Sequence, residues 1–278
     1  MPLAGGLTVL TALLVPLSLA MMAGAWTWFG DDSAAKLHHG FTVRFGQLAV
    51  IVAGAIGMTS LGLLDDRFEL RPALKFTGQF LVALAVAMAG VRITLFVPSV
   101  AFSYAVTVLW ILTLTNAFNF MDNMNGLCAG LGAIGAAFFG FAAARSDDYL
   151  VASLAFLICG SLAGFLPWNY PRARAFLGDS GSHLTGYLLA VLAILPHFYS
   201  AKHPRPLAVL SPLLVLAVPL VDLAWVVVLR TKAGRPFYIG DTNHLSHRLV
   251  RRGLSPARAV ALIWAVAAAS GAISLLLN

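Results

Sequence analysis

Apolar residues run along this chain in long, near-continuous blocks, not at the alternating period of strands or the one-sided period of surface helices. Nine blocks approach the roughly 20 residues needed to cross a bilayer as a helix. They lie at about 5–29, 45–64, 76–97, 100–118, 126–144, 149–167, 183–199, 206–230 and 257–277. The pattern predicts an all-α, polytopic membrane bundle of about nine transmembrane helices, organised as one domain over 1–278. No Lys or Arg precedes Lys36, so the first block lacks the basic start of a cleaved signal peptide and is expected to be a retained span. No repeat, low-complexity tract or long linker interrupts the chain.

Composition agrees with a lipid solvent. Of 278 residues, 60% are hydrophobic and only 10% charged, against about 25% charged in soluble domains. That balance excludes a soluble enzyme, a secreted disulfide scaffold and a disordered protein. Cys128 and Cys159 both lie in apolar runs and carry no redox information. The net charge of +7 is read as membrane topology, with no nucleic-acid partner expected. With nine spans, the loops after spans 2, 4, 6 and 8 hold twelve of the 18 basic residues, from Arg67 to Arg258. The positive-inside rule assigns that face to the cytoplasm.

Polar residues on that face exceed what orientation requires. Asp65, Asp66, Glu69, Asp122, Asp179, Asp222 and Asp241 gather there with Asn116, Asn119, Asn123, Asn125, His244 and His247. Four clusters stand out. In the first, Asp65 and Asp66 sit side by side at a membrane boundary, where burial demands a counter-ion, and Pro72 ends the helix so that Lys75 can turn back toward them. In the second, Asn116, Asn119 and Asp122 share one flank at helical spacing, ahead of Asn123, Asn125 and Gly126. The third is Gly178-Asp179-Ser180-Gly181-Ser182, whose glycines let backbone N–H groups approach an anion and whose Asp179 is available to a divalent ion. It also spells part of a serine-protease nucleophile segment, a reading excluded because the chain offers no barrel strands. The fourth runs from Gly234 to Leu249, with His244 and His247 at a spacing that faces both one way from a helix. Phosphate or sugar contacts by imidazole and guanidinium groups fit it better than zinc, since neither a nearby cysteine nor a His-Glu-x-x-His string accompanies the pair. Gly130, Gly132 and Gly135 mimic a dinucleotide fingerprint but lie in a span, where small residues serve helix packing. Asp222, inside span 8, is either a functional acid or an inter-helix hydrogen-bond partner.

Together the four clusters resemble the polyprenyl-phosphate N-acetylhexosamine-1-phosphate transferase family. The motifs D-D-x-x-x-L-x-x-x-x-K, N-x-x-N-x-x-D followed by G-L, G-D-x-G-S and H-x-x-H occur in the family's order, over a core of about 65–258. The Asp-x-Asn-His-x-x-His-Arg-Leu form is similar to the UDP-GlcNAc branch. The resemblance implies transfer of a HexNAc-1-phosphate, GlcNAc-1-phosphate foremost, from a UDP-N-acetylhexosamine to polyprenyl phosphate, releasing UMP, with the active site at the cytoplasmic face. It implies Mg2+, with Mn2+ as a second candidate, held by Asp179 and Asn119. Asp65 and Asp66 would flank the lipid phosphate, with Asp122 and Asp179 completing the catalytic acids. Lys75 would contact phosphate; Asn116, Asn123 and Asn125 would line the nucleotide-sugar site; His244, His247 and Arg248 would hold the pyrophosphate or sugar. The partners expected are these two substrates and the membrane, with a homodimer left open.

Two departures accompany the resemblance. Asn125 stands where many relatives carry a carboxylate. A Lys36–Gln47 segment resembles a cytoplasmic loop of the family, yet only some 20 residues separate it from Asp65, room for one crossing where the family has two. The segment is therefore either external or joined through a re-entrant hairpin over 45–64, and the first is expected. A silent scaffold relative and a transporter are the rival functions; the transporter predicts mid-membrane polar groups in repeat-related helices, which the sequence lacks.

Overall fold

A computed structural model describes residues 3–22, 31–94, 97–195, 206–236, 238 and 242–277. Helices account for nearly all of the regular structure, and no strand occurs among the described residues. In chain order they are α1 (Gly5–Met22), α2 (Asp31–Phe68), α3 (Pro72–Met88), α4 (Val100–Met121), α5 (Leu127–Arg145), α6 (Tyr149–Asn169), α7 (Gly178–Leu192), α8 (Ser211–Val215), α9 (Ala217–Lys232), α10 (Leu245–Arg251) and α11 (Pro256–Leu277). The helix boundaries follow the apolar blocks closely in α4, α5, α6 and α11.

Elsewhere the helices depart from the blocks for physical reasons. Five helices among the described residues are long and apolar enough to cross a membrane, and a sixth is formed if Ala208–Val215, which takes in α8, and α9, bent by 67° at Leu216, count as one span. Pro212 and Pro219 lie on either side of that break, where missing N–H donors weaken the helical ladder. α3 is only 17 residues long. α7 is shorter still at 15 residues, and begins at Gly178, so the third polar cluster is the first turn of a helix instead of a loop before it. At 1.5 Å per residue α7 spans about 22 Å, less than the roughly 30 Å of a bilayer core. Every residue from Ser180 to Leu192 is buried, because α7 is the central post against which α1, α2, α4 and α5 pack.

α2 continues without interruption from Asp31 to Phe68, which replaces the hairpin alternative over 45–64 with a single rod. Residues 36 and 65 are thus separated by about 43 Å of helix. The side chains of Lys36 and His38, and all of Asp241, lie outside the described residues.

The contact between α2 and α7 is close enough to require glycine. A Cβ on Gly62 would lie 2.4 Å from the backbone of Asp179 and Ser180. Further along, the Tyr187 hydroxyl donates to the Ile51 carbonyl at 3.0 Å. These contacts seat the first turn of α7 against the last turns of α2. Gly62→Ala must therefore push the two helices apart at the polar end of the bundle. The expected outcome is a loss of about 1–3 kcal/mol of stability by overpacking, seen as a lower midpoint of thermal unfolding in detergent; an unchanged midpoint would refute the tight contact.

Candidate active site

The end of α2, the start of α3, the end of α4 and the start of α7 meet at one point. α2 stops because Glu69 takes a left-handed conformation, φ 47°, while Asp65 Oδ1 accepts the Leu70 N–H at 2.8 Å. Pro72 opens α3, where its fixed φ suits the first helical turn. The tight hairpin returns Lys75 to α2, and its Nζ lies 2.6 Å from Asp65 Oδ2 and 2.6 Å from Asp179 Oδ2. One ammonium thus bridges carboxylates that are 114 positions apart in sequence.

Asp179 is oriented from two further sides. Asn119 Nδ2, on α4, donates to Asp179 Oδ1 at 2.9 Å and to Ser182 Oγ at 3.0 Å. Asp66 accepts from the backbone N–H groups of Asp179 at 2.8 Å and Ser180 at 3.1 Å. The anion met by the exposed N–H groups of this helix start is therefore a carboxylate of the chain itself. A negative charge there also complements the helix dipole. Gly178, at φ +70°, makes the approach feasible: a Cβ would stand 2.8 Å from Asp66 Oδ2.

A buried amide relay leads inward from this cluster. Asn116 Nδ2 donates to Gln79 Oε1 at 2.8 Å, and Gln79 Nε2 faces His183 Nε2 at 3.4 Å. Asp65, Asp179 and His183 each present a ligand atom within 4.8 Å of the others. A cavity of about 440 Å3 opens beside the cluster. Its polar head is Asp65, Lys75, Asn116 and Asn119, and its wall includes the apolar Leu109, Leu112, Leu223 and Val227.

The remaining predicted residues form a second group. Asp222, buried on α9, accepts from the Leu245 N–H at 2.6 Å and pairs with His244 Nδ1 at 2.7 Å. This resolves Asp222 as an inter-element hydrogen-bond partner. It also changes the H-x-x-H geometry: α10 begins at Leu245, His244 is its non-helical cap at φ −59°, ψ 151°, and only His247 lies on the helix. The two rings are 6.4 Å apart. Asn123 Oδ1 accepts from Ser246 Oγ at 2.6 Å, tying the α4–α5 turn to α10. Arg248 stacks over Trp225 at 4.9 Å. Asn125 Nδ2 donates to the Pro171 carbonyl at 3.3 Å, away from the Lys75 cluster. Phe120 joins the groups: it lines the cavity, meets His244 edge-on at 5.5 Å and carries the Arg230 guanidinium 4.8 Å above its ring.

Gln79, His183 and Arg230 do not stand out in the sequence as site residues. Gln79 and His183 each interrupt an apolar block singly, which looks the same as a lone packed polar residue. Arg230, only 2% exposed, was counted as one more basic loop residue. The usable signal was helical spacing: Gln79 lies four residues after Lys75, and His183 four after Asp179, on the same flanks.

Asp122 ends α4 outside the membrane-spanning segment. Desolvation, reinforced by the negative charges of Asp179 and Asp66, pushes its carboxyl well above the usual carboxylate range, against an opposing backbone hydrogen bond from Gly178. A raised folded-state value means this group favours folding fully only below its unfolded value near 3.8, and the contribution is lost as pH rises through the folded value. Asp122→Asn is expected to raise the unfolding midpoint at neutral pH and flatten its dependence on pH. A midpoint that falls at neutral pH would overturn this account.

Apolar helices around a buried post, with carboxylates, amides and an ammonium converging at one end, define an integral membrane protein carrying a site for a charged ligand. Residues 48–197 match glycosyl transferase family 4, and the chain belongs to that family. It is 36% identical over 301 aligned positions to "Decaprenyl-phosphate N-acetylglucosaminephosphotransferase" of Mycobacterium leprae, covering 98% of this chain and 73% of that protein. It is 37% identical to the Mycobacterium tuberculosis (strain ATCC 25618 / H37Rv) protein of the same name, covering 92% and 70%. A Bacillus subtilis protein, "Probable undecaprenyl-phosphate N-acetylglucosaminyl 1-phosphate transferase", is 32% identical over 79% of this chain, which spans 63% of that relative. The family match starts before Asp65 and stops short of His244, whereas the Mycobacterium leprae alignment takes in nearly the whole chain.

Proposed function

We propose that this chain transfers GlcNAc-1-phosphate from UDP-GlcNAc to polyprenyl phosphate, yielding polyprenyl-diphosphate-GlcNAc and UMP. The observation that carries the reading is the Asp65–Lys75–Asp179–Asn119 cluster heading a cavity with one polar end and one apolar wall. A lipid phosphate has the same polarity: a dianionic head on a hydrocarbon tail. The names of the relatives supply the substrate class. The site would open on the cytoplasmic side of a bacterial inner membrane, in keeping with the basic loops around it. In a nine-span arrangement the short α1, α3 and α7 would cross alongside the longer helices.

In the reaction an oxygen of the lipid phosphate attacks the β-phosphorus of the nucleotide sugar. A new P–O bond forms there as the bond to the bridging oxygen breaks, and UMP leaves with the electron pair. Such transfers ask the protein chiefly for positioning and for stabilisation of charge. Lys75 would meet phosphate oxygens, assisted by His247 and Arg248 on the nucleotide-sugar side. Asp222 would fix His244, and Asp66 would fix Asp179 through the start of α7. Asn116, Asn123 and Asn125 would border the nucleotide and sugar.

A divalent ion fits the donor set, because carboxylate and amide oxygens are the hard ligands Mg2+ prefers. Asp179 would hold it, joined by the side-chain oxygen of Asn119 once that amide, whose Nδ2 now donates to Asp179 and Ser182, turns over. Once bound, it supplies Lewis-acid polarisation and neutralises charge on the diphosphate. The nucleophile needs little help in losing a proton, since a phosphate monoester has a second pKa of about 6. Asp65 therefore orients Lys75 and the lipid phosphate, and is not needed as a general base.

Purified protein in detergent, given radiolabelled UDP-GlcNAc, polyprenyl phosphate and Mg2+, is expected to release UMP and form a labelled glycolipid. Nucleotide binding without turnover would instead identify a silent relative. Asp65→Asn should lower the rate by about 100-fold at neutral and alkaline pH alike, as expected for lost positioning. Recovery of near wild-type rate at alkaline pH would restore the general-base role and refute the orienting one.

A further inference from the structure

His183 is fully buried, and its polar atoms are poorly used within the protein. Among the described residues Nδ1 has no hydrogen-bond partner. Among them Nε2 makes only the long 3.4 Å approach to the Gln79 amide nitrogen, and that amide is held in place because its oxygen accepts from Asn116 at 2.8 Å. An imidazole withdrawn from water with a nitrogen unsatisfied is costly. An apolar side chain would fill the same space within α7 without that cost.

The ring stands one turn after Asp179 on the same flank of α7. Its ligand nitrogen, an Asp179 oxygen and an Asp65 oxygen all lie within 4.8 Å of one another. Ligands bound about 2.1 Å from one octahedral ion are separated by distances up to about 4.2 Å, so only small side-chain shifts are needed. The position between the two carboxylates already demands positive charge, which Lys75 supplies from 2.6 Å on each side. Lys75 also lines the open cavity, and its flexible stem allows the ammonium to withdraw there.

We propose that His183 is a nitrogen ligand in a three-residue cation site with Asp65 and Asp179, and that it biases this chain toward Mn2+ or a similar transition ion over Mg2+. The inference rests on the reading above that Asp179 holds the reaction's cation; it adds His183 and Asp65 to the donors there, Asp65 exchanging its contact with Lys75 for the ion as the ammonium withdraws, and extends the reading to the identity of the ion. Oxygen donors suit Mg2+ and Mn2+ alike, whereas an imidazole donor is accepted by transition ions, Mn2+ least strongly among them, and only reluctantly by Mg2+. A leucine at position 183 would leave carboxylate and amide oxygens alone.

The test is pulsed electron paramagnetic resonance of Mn2+ bound to the full chain in detergent, free of any histidine tag. Wild type should give nitrogen modulation from a directly bound imidazole. His183→Leu and His183→Gln should abolish it, while His247→Ala retains it. Mn2+ affinity should fall by about 10- to 100-fold in His183→Leu, with Mg2+ affinity, measured by competition, changing less. Bound Mn2+ without nitrogen modulation in wild type overturns the proposal, as does modulation that survives both substitutions at 183. The wild-type spectrum and His183→Gln keep the test decisive if His183→Leu fails to fold. UMP release is scored separately: an active enzyme with nitrogen-free Mn2+ refutes this inference alone, and an imidazole-bound ion in protein that makes no glycolipid refutes the transferase reading alone.

Discussion

Two carboxylates drawn together at the end of a membrane bundle repel unless something positive stands between them, and Lys75 is that charge. Its ammonium contacts both Asp65 and Asp179 at 2.6 Å. The architecture at this end follows from the need to satisfy that contact. α2 must stop after Asp65, the chain must reverse within a few residues at Pro72, and α7 must present its first turn to the hairpin. In a low-dielectric setting an unmatched charge would cost several kcal/mol. The ion pair and the helix ends are therefore one structural unit. A charged substrate or ion entering the site takes over part of a balance that the protein already maintains.

The same economy explains why α7 is both short and polar. Its buried face carries Ser180, Ser182, His183 and Thr185, which lipid would not tolerate. Surrounded by α1, α2, α4 and α5, the helix has protein partners: Tyr187 Oη donates to the Ile51 carbonyl on α2 at 3.0 Å, Ser182 Oγ accepts from Asn119 on α4, and Thr185 Oγ1 turns back to the Gly181 carbonyl of α7 itself. Close packing at Gly62 makes this wrapping tight enough to hold Asp179 in place. Stability of the bundle and precision of the site thus depend on the same α2–α7 contact.

Much of the site was legible because polar residues in an apolar chain need a reason. Asp65, Asn119 and Asp179 interrupt blocks in clusters, and Pro72 announces the reversal that returns Lys75. The all-helical class followed from block length alone. What sequence could not resolve was geometry decided by tertiary hydrogen bonds. His244 and His247 have helical spacing, yet Asp222 captures the Leu245 N–H and starts α10 one residue too late for both to be helical. Asp66 and Asp65 are adjacent and chemically identical, but one bridges an ammonium while the other caps α7. The break at Leu216 and the brevity of α7 were hidden for a related reason: hydropathy records apolar length, not whether a helix is straight or shielded by neighbours.

Phe120 connects the two polar groups in space. Amides and acids on α2, α3, α4 and α7 surround the cavity head, while the imidazoles and guanidinium groups come from α9, α10 and the segment between them. An aromatic ring at the end of α4 touches both, with His244 at its edge and Arg230 above its face. A cation over an aromatic face is worth more where water is excluded, which suits an arginine so fully buried. The bend between α8 and α9 matters here, since it sets the direction of α9 and therefore the positions of Asp222, Trp225 and Arg230. Asp222 then passes that orientation to His244 and to the start of α10. The lining on either side of this ring differs in kind, apolar along the cavity and cationic beside it. Phe120 stands where the two meet, lining the cavity on one side and touching His244 and Arg230 on the other.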